Sequence, residues 1–152
     1  MQVSIEINGL DRLRELAAKY PQISAPHFNQ AIARSLVRVR GAAIQEAPVG
    51  VNHALGLGWK EVSSPFEGRL VSTTPYASDV ELGTLPHYVS AQALMPWAAK
   101  KGLNPYAVAK SIAKKGTKAN PFLDRAVASQ EGGINEEFEA ALEKVVTDLS
   151  IS

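Results

Sequence analysis

The chain has 152 residues, 45% of them hydrophobic and 20% charged, with a formal net charge of +1 at neutral pH. That balance fits one soluble globular domain and excludes disordered, collagenous and coiled-coil chains, and a net charge near zero weakens the case for a dedicated nucleic-acid binder. Cysteine is absent, which excludes disulfides, thiolate metal sites and a thiol nucleophile, and no stretch approaches the ~20 apolar residues of a membrane span.

Residues 2–7 alternate, with Val3, Ile5 and Ile7 on one face and Gln2, Ser4 and Glu6 on the other, the period of a half-buried strand. They lack the basic start and apolar run of a signal peptide, so an unprocessed start is expected. Asn8 is placed to cap a helix with Asp11 in its first turn and Leu10, Leu13, Leu16 and Tyr20 as its apolar stripe, and Pro21 is expected to stop it. A longer helix is expected over residues 25–47, with Phe28, Ile32, Leu36, Val39 and Ala43 at helical spacing and Pro26 near its start. Its outer face carries Arg34, Arg38 and Arg40 with no acid before Glu46, so those arginines face solvent, a partner or DNA.

Residues 48–58 (PVGVNHALGLG) are Gly-rich and aperiodic, which predicts a long mobile loop and a candidate for ordering on assembly. Strand-like runs at 57–63 and 68–74, separated by Pro65 and the pair Glu67-Gly68, read as a hairpin. Residues 76–82 put Tyr76, Val80 and Leu82 on one face and Asp79 and Glu81 on the other, which predicts a third strand extending the hairpin into a meander. Two short helices are expected over 93–115, broken at Gly102, Asn104 and Pro105, with Leu94, Trp97, Tyr106, Val108, Ala109 and Ile112 available for packing. Asn120-Pro121 opens a helical turn carrying Phe122, Leu123 and Ala126, and Gly132-Gly133 is expected to break the chain before a last helix bearing Ile134, Phe138, Leu142, Val145 and Leu149. The expected fold is α+β in a single domain over residues 1–152: an antiparallel sheet of about four strands, packed by the long helix and the C-terminal helix.

His27, His53 and His87 stand apart, without a second histidine or cysteine at metal-ligand spacing, and no nucleophile elbow, Walker loop or dinucleotide fingerprint is present. No catalytic residue, metal or cofactor is therefore expected. Charge is unevenly placed. Between residues 97 and 125 the basic residues are Lys100, Lys101, Lys110, Lys114, Lys115, Lys118 and Arg125, against Asp124 alone, whereas residues 130–152 hold Glu131, Glu136, Glu137, Glu139, Glu143 and Asp148 against Lys144. Adjacent segments of opposite sign suit either two solvated helix faces or contact between subunits.

The run YASDVELGT at residues 76–84 resembles the signature Tyr-Ala-x-x-Val-Glu-x-Gly-Thr of a phage family typified by gene product ten of the lambdoid coliphage Hong Kong ninety-seven. That family comprises neck, tail-completion and minor tail proteins. The order of the remaining features agrees: a helix ending in Ala47-Pro48, a Gly-containing loop, a hairpin, the signature, then Pro121-Phe122-Leu123 and Ala126 before a last helix. The chain departs from the family in the VNHALGL that follows the Ala-Pro and in a longer helical insert at residues 85–118.

What the resemblance implies is a virion protein assembled in the host cytoplasm. It would form a homo-oligomeric, hexameric ring at the head-to-tail junction, between connector or head-completion proteins and the tail tube or terminator. Genomic DNA would cross its lumen without sequence specificity and no membrane would be involved. On that reading Tyr76, Glu81, Thr84, Trp59, Trp97 and Phe122 are candidate subunit-interface residues, although either tryptophan is equally placed as ordinary core. Glu81 reads as an exposed strand carboxylate, as a partner for a neighbour's basic residue, or as a group fixing the loop after Thr84. Arg34, Arg38, Lys100, Lys101, Lys114 and Lys115 are candidates to face DNA. The rival reading is a small nucleic-acid-binding module that lays the same basic residues, with Arg40, on phosphates.

Overall fold

The computed structural model describes residues 1–3, 11–50 and 53–151. Two long helices dominate it, α2 (Pro21–Glu46) and α7 (Phe122–Ile151), packed antiparallel along their lengths. Ion pairs fix that register: His27 meets Asp148 at one end, Arg34 and Arg38 meet Glu137 in the middle, and Arg125 meets Glu46 at the other end.

Both helices are longer than the sequence suggests, for identifiable reasons. Pro21 ends α1 (Asp11–Lys19) but also opens α2 at its first turn, where a missing N–H costs nothing and the fixed φ suits a helix. The expected break at Gly132-Gly133 does not occur, and α7 runs straight through it. Each glycine costs a helix about 1 kcal/mol relative to alanine. The flanking Ala126, Ile134, Phe138, Ala141 and Val145 keep the helix seated on α2, and tertiary burial outweighs the local preference.

Apolar side chains along this helix pair form two clusters. One gathers Leu36, Val39, Ala43, Leu55, Trp59, Leu70, Phe122, Leu123 and Ile134 against the sheet, and the other gathers Leu13, Phe28, Ala31, Ala141 and Val145 under α1. Phe138 packs against both.

The hairpin forms as expected, from β2 (Trp59–Ser64) and β3 (Glu67–Ser72), paired antiparallel with Trp59 opposite Ser72 and Ser64 opposite Glu67. A two-residue β1 (Gln2–Val3) pairs with β3 on the other side, so the sheet order is β1-β3-β2. Residues 4–7 of the expected first strand lie outside the described residues. Among those described, the sheet has three strands, and the third meander strand is a helix instead: α4 (Ala77–Leu82). Ala77 and Glu81, four residues apart, are the positions that turn inward, while Tyr76 and Leu82 are exposed. A run this short satisfies period 2 and period 3.6 almost equally, and burial decides between them.

Of the loop expected at 48–58, residues 51 and 52 lie outside the described residues and residues 54–57 form a helix instead. α3 (Ala54–Leu57) makes one helical turn that buries Leu55, and the Thr74 hydroxyl donates to the Ala54 carbonyl at 3.1 Å. Beyond α4 the chain makes a helical hairpin, α5 (Ala91–Lys101) and α6 (Pro105–Lys115), whose Asn104 caps α6 by accepting from the N–H groups of Tyr106 and Ala107. Here the breakers Gly102, Asn104 and Pro105 act as the sequence predicts. No described helix is long and apolar enough to cross a membrane.

Candidate functional site at the root of a helical arm

The signature run 76–84 lies where the helical hairpin joins the body. Its inward carboxylate, Glu81, is 5% exposed and accepts hydrogen bonds from the backbone N–H groups of Leu123 at 2.9 Å and Asp124 at 3.2 Å. Those are first-turn donors of α7, which have no carbonyl of their own helix to bond. A carboxylate there satisfies one buried and one part-buried donor and sits at the positive end of the helix dipole. Glu81 is thus neither an exposed strand carboxylate nor a group holding the loop after Thr84. It is a side chain from α4 that caps α7. The Asn120 N–H, donating to the Val80 carbonyl at 2.9 Å, ties the same two segments together.

Past Glu81, the chain leaves the body through Gly83-Thr84 and returns through Gly116-Thr117. Thr84 and Thr117 form an isolated antiparallel bridge, each N–H donating to the other's carbonyl at 3.1 Å, with their hydroxyl oxygens 3.0 Å apart. The glycine before each threonine has positive φ, +73° at Gly83 and +72° at Gly116. A Cβ on Gly83 would lie 2.6 Å from the Thr117 carbonyl oxygen, and one on Gly116 would collide with the Thr84 carbonyl. Both positions therefore need glycine for two reasons, conformation and space. His87 closes the turn, its Nδ1 lying 3.0 Å from the Leu85 carbonyl and 3.2 Å from the Thr84 hydroxyl.

The other singled-out residues are dispersed. Trp59 and Phe122 are core residues, buried with ring centroids 6.3 Å apart, so neither side chain is presented at the surface. Trp97 is half-buried in α5, Tyr76 is exposed just ahead of α4, and Thr84 is engaged in the bridge. Arg34 and Arg38 both reach Glu137, Arg38 through two nitrogens at 3.0 and 3.2 Å, and Arg40 reaches Glu61 at 3.4 Å. The hydrogen bond from Arg38 is the chief reason the Glu137 carboxyl titrates below its ordinary value. Burial opposes the shift and Arg34 reinforces it. Each arginine of the row thus meets an acid, Arg34 and Arg38 sharing Glu137 from α7 and Arg40 taking Glu61 from β2.

The lysines differ. Lys100, Lys101, Lys110, Lys114, Lys115 and Lys118 are all exposed. Among the described residues none of them enters an ion pair, and Lys100 donates to the Gly50 carbonyl. Among the same residues no three His, Asp or Glu side chains gather as a metal-ion set. Sequence reasoning missed Thr117 as the partner of Thr84, although the repeated Gly-Thr dipeptide was a visible signal. Glu137 as the arginines' partner had no local signal. No known family, no characterised protein and no solved structure matches the chain on comparison.

Proposed function

We propose that this protein is a structural subunit of a long-tailed bacteriophage virion, one of several copies in a ring at the head-to-tail junction, acting through its shape and surface rather than through chemistry. One observation carries the reading. The run that resembles the phage signature is a mechanical joint: Ala77 packs in the core, Glu81 caps α7, Gly83 makes the turn and Thr84 clamps the base of the arm. Residues so engaged are suited to positioning a projecting element, which is what a ring subunit needs in order to reach its neighbour. The proposed neighbours are connector or head-completion proteins on one side and the tail tube or terminator on the other, with DNA crossing the lumen.

The test is to express the phage structural genes with and without this one. Full particles should contain the protein at the neck by immunogold labelling, and its deletion should leave filled heads and separate tails. Infectious particles assembled without it would remove the proposal.

The arm's five lysines, with Lys118 beside its root, enter no ion pair among the described residues and favour one rival, a nucleic-acid-binding module. On that reading the isolated protein binds duplex DNA tightly, with an affinity that falls steeply as salt rises. The arginines Arg34, Arg38 and Arg40 do not support it, since each already meets an acid.

A further inference from the structure

Two surfaces of the chain are complementary but do not satisfy each other within it. Residues 82–123 contain no acidic residue at all, and the projecting arm lies within them. Large apolar side chains are exposed there: Leu85 at 85%, Tyr88 at 87% and Tyr106 at 64%. α6 buries none of its residues fully. Val108, Ala109 and Ile112 are half-buried on one side of α6, whereas Tyr106, Lys110, Ala113 and Lys114 share the opposite, exposed face.

The outer face of α7 is the counterpart. Glu136, Glu139, Glu143 and Val146 are exposed on the side away from α2, whereas Ile134, Ala141 and Val145 point inward. The nearest base on the helix, Lys144, lies on the other flank with His27, Arg34 and Glu137. Among the described residues Glu136, Glu139 and Glu143 enter no ion pair. Both stripes place like charges three or four residues apart, an arrangement that destabilises an isolated helix and that an opposite stripe relieves.

We infer that the exposed face of α6 docks on the acidic outer face of α7 in a second copy of this chain. The two helices run antiparallel, with Tyr106 against Val146, Lys110 against Glu143 and Lys114 against Glu139. The spacings agree: three anchors over about 12 Å of α6 meet three over about 10 Å of α7 at a rise of ~1.5 Å per residue. Because the two faces differ, each subunit offers one to the copy ahead and one to the copy behind, which closes a ring or extends a filament. This contact rests on the ring reading above and gives it a named interface.

The experiment uses the full chain and two charge-reversed variants, K110E/K114E and E139K/E143K, in sedimentation velocity at low and high salt. Wild type should self-associate, and the association should weaken by about tenfold or more at high salt as exposed charges are screened. Each variant alone should lose association by a similar factor, and an equimolar mixture should regain it, since each then finds an opposite face on the other. Circular dichroism verifies the helices, and the neutral pair K110Q/K114Q stands in if a reversed variant misfolds.

Wild type that stays monomeric at its highest soluble concentration overturns the inference, as does a mixture that fails to recover. If wild type forms a closed oligomer that both variants keep, these faces are wrong while the ring stands. Absence of the protein from particles removes the ring reading instead. Loss of duplex DNA binding in K110E/K114E with association unchanged assigns the arm to nucleic acid and also overturns the inference.

Discussion

The α2–α7 pair and the α5–α6 arm are both helical hairpins in the broad sense, yet they treat their charges in opposite ways. In the pair, cations and anions from segments about a hundred residues apart meet, as Arg34 and Arg38 do at Glu137, and the apolar stripes face each other. In the arm, lysines go unmatched among the described residues and aromatic rings stand in solvent. A surface that has found its partners within the chain contributes to stability. One that has not marks where a partner from outside belongs.

Substitutions at four positions test that division, taken from the largest effect to the smallest. Glu81→Ala strips the acceptor from the buried N–H of Leu123 and the part-buried N–H of Asp124, and at ~1–3 kcal/mol for a buried orphaned donor and less for one that water reaches, the fold should lose about 2–4 kcal/mol in urea denaturation. Glu81→Gln, which keeps one acceptor oxygen, should lose less than half as much. A loss under about 0.5 kcal/mol for the alanine variant would mean that the joint between α4 and α7 carries little of the fold's stability.

Gly116→Ala should act locally. An L-residue in the nearly glycine-only backbone region that Gly116 occupies, φ 72° and ψ −159°, costs roughly 1–3 kcal/mol, and its Cβ meets the Thr84 carbonyl, so the base of the arm should open. The expected sign is proteolytic cleavage within residues 85–116 that is faster by about tenfold or more, with a much smaller change in the denaturation of the rest. Equal loss in both readouts would show arm and body to be one cooperative unit.

Glu137→Gln should cost about 1 kcal/mol, because its arginine partners are half-exposed and solvent screens them. Since the folded chain holds the Glu137 carboxyl below its ordinary value, the unfolded chain takes up that proton first. The stabilisation is complete above the ordinary glutamate range and fades as the pH falls through the lowered value. The gap between wild type and Glu137→Gln should therefore close on acidification, and a gap that does not narrow as the pH falls below the ordinary glutamate range would contradict it. Gly132→Ala should stabilise by about 0.5–1 kcal/mol, as an added Cβ meets nothing within 4 Å and helix propensity rises.

Much of this architecture was legible in the residues. Long periodic stripes gave α2, the breakers at Gly102, Asn104 and Pro105 separated α5 from α6, and Pro65 with Glu67-Gly68 marked the hairpin turn. Two errors share one cause, that local signals were allowed to decide what burial decides. Residues 76–82 are too few for their period to speak, and Gly132-Gly133 weakens a helix that packing on α2 nevertheless holds together. The site was harder to read. Glu81 stood out by its place in the signature, but its role depends on the start of a helix 42 positions later. Glu137, the partner of Arg38 and Arg34, is farther still, at 99 and 103 positions, and no motif spans such a gap.

The clasp between Thr84 and Thr117 has a wider consequence. Because the outgoing and incoming backbones touch there, the excursion between them closes on itself, and the helices beneath experience only its two ends. Such a junction tolerates excursions of different length or lettering in the same place. Residues 85–116 can therefore be shortened, lengthened or rewritten while the frame of α2 and α7 is left as it was.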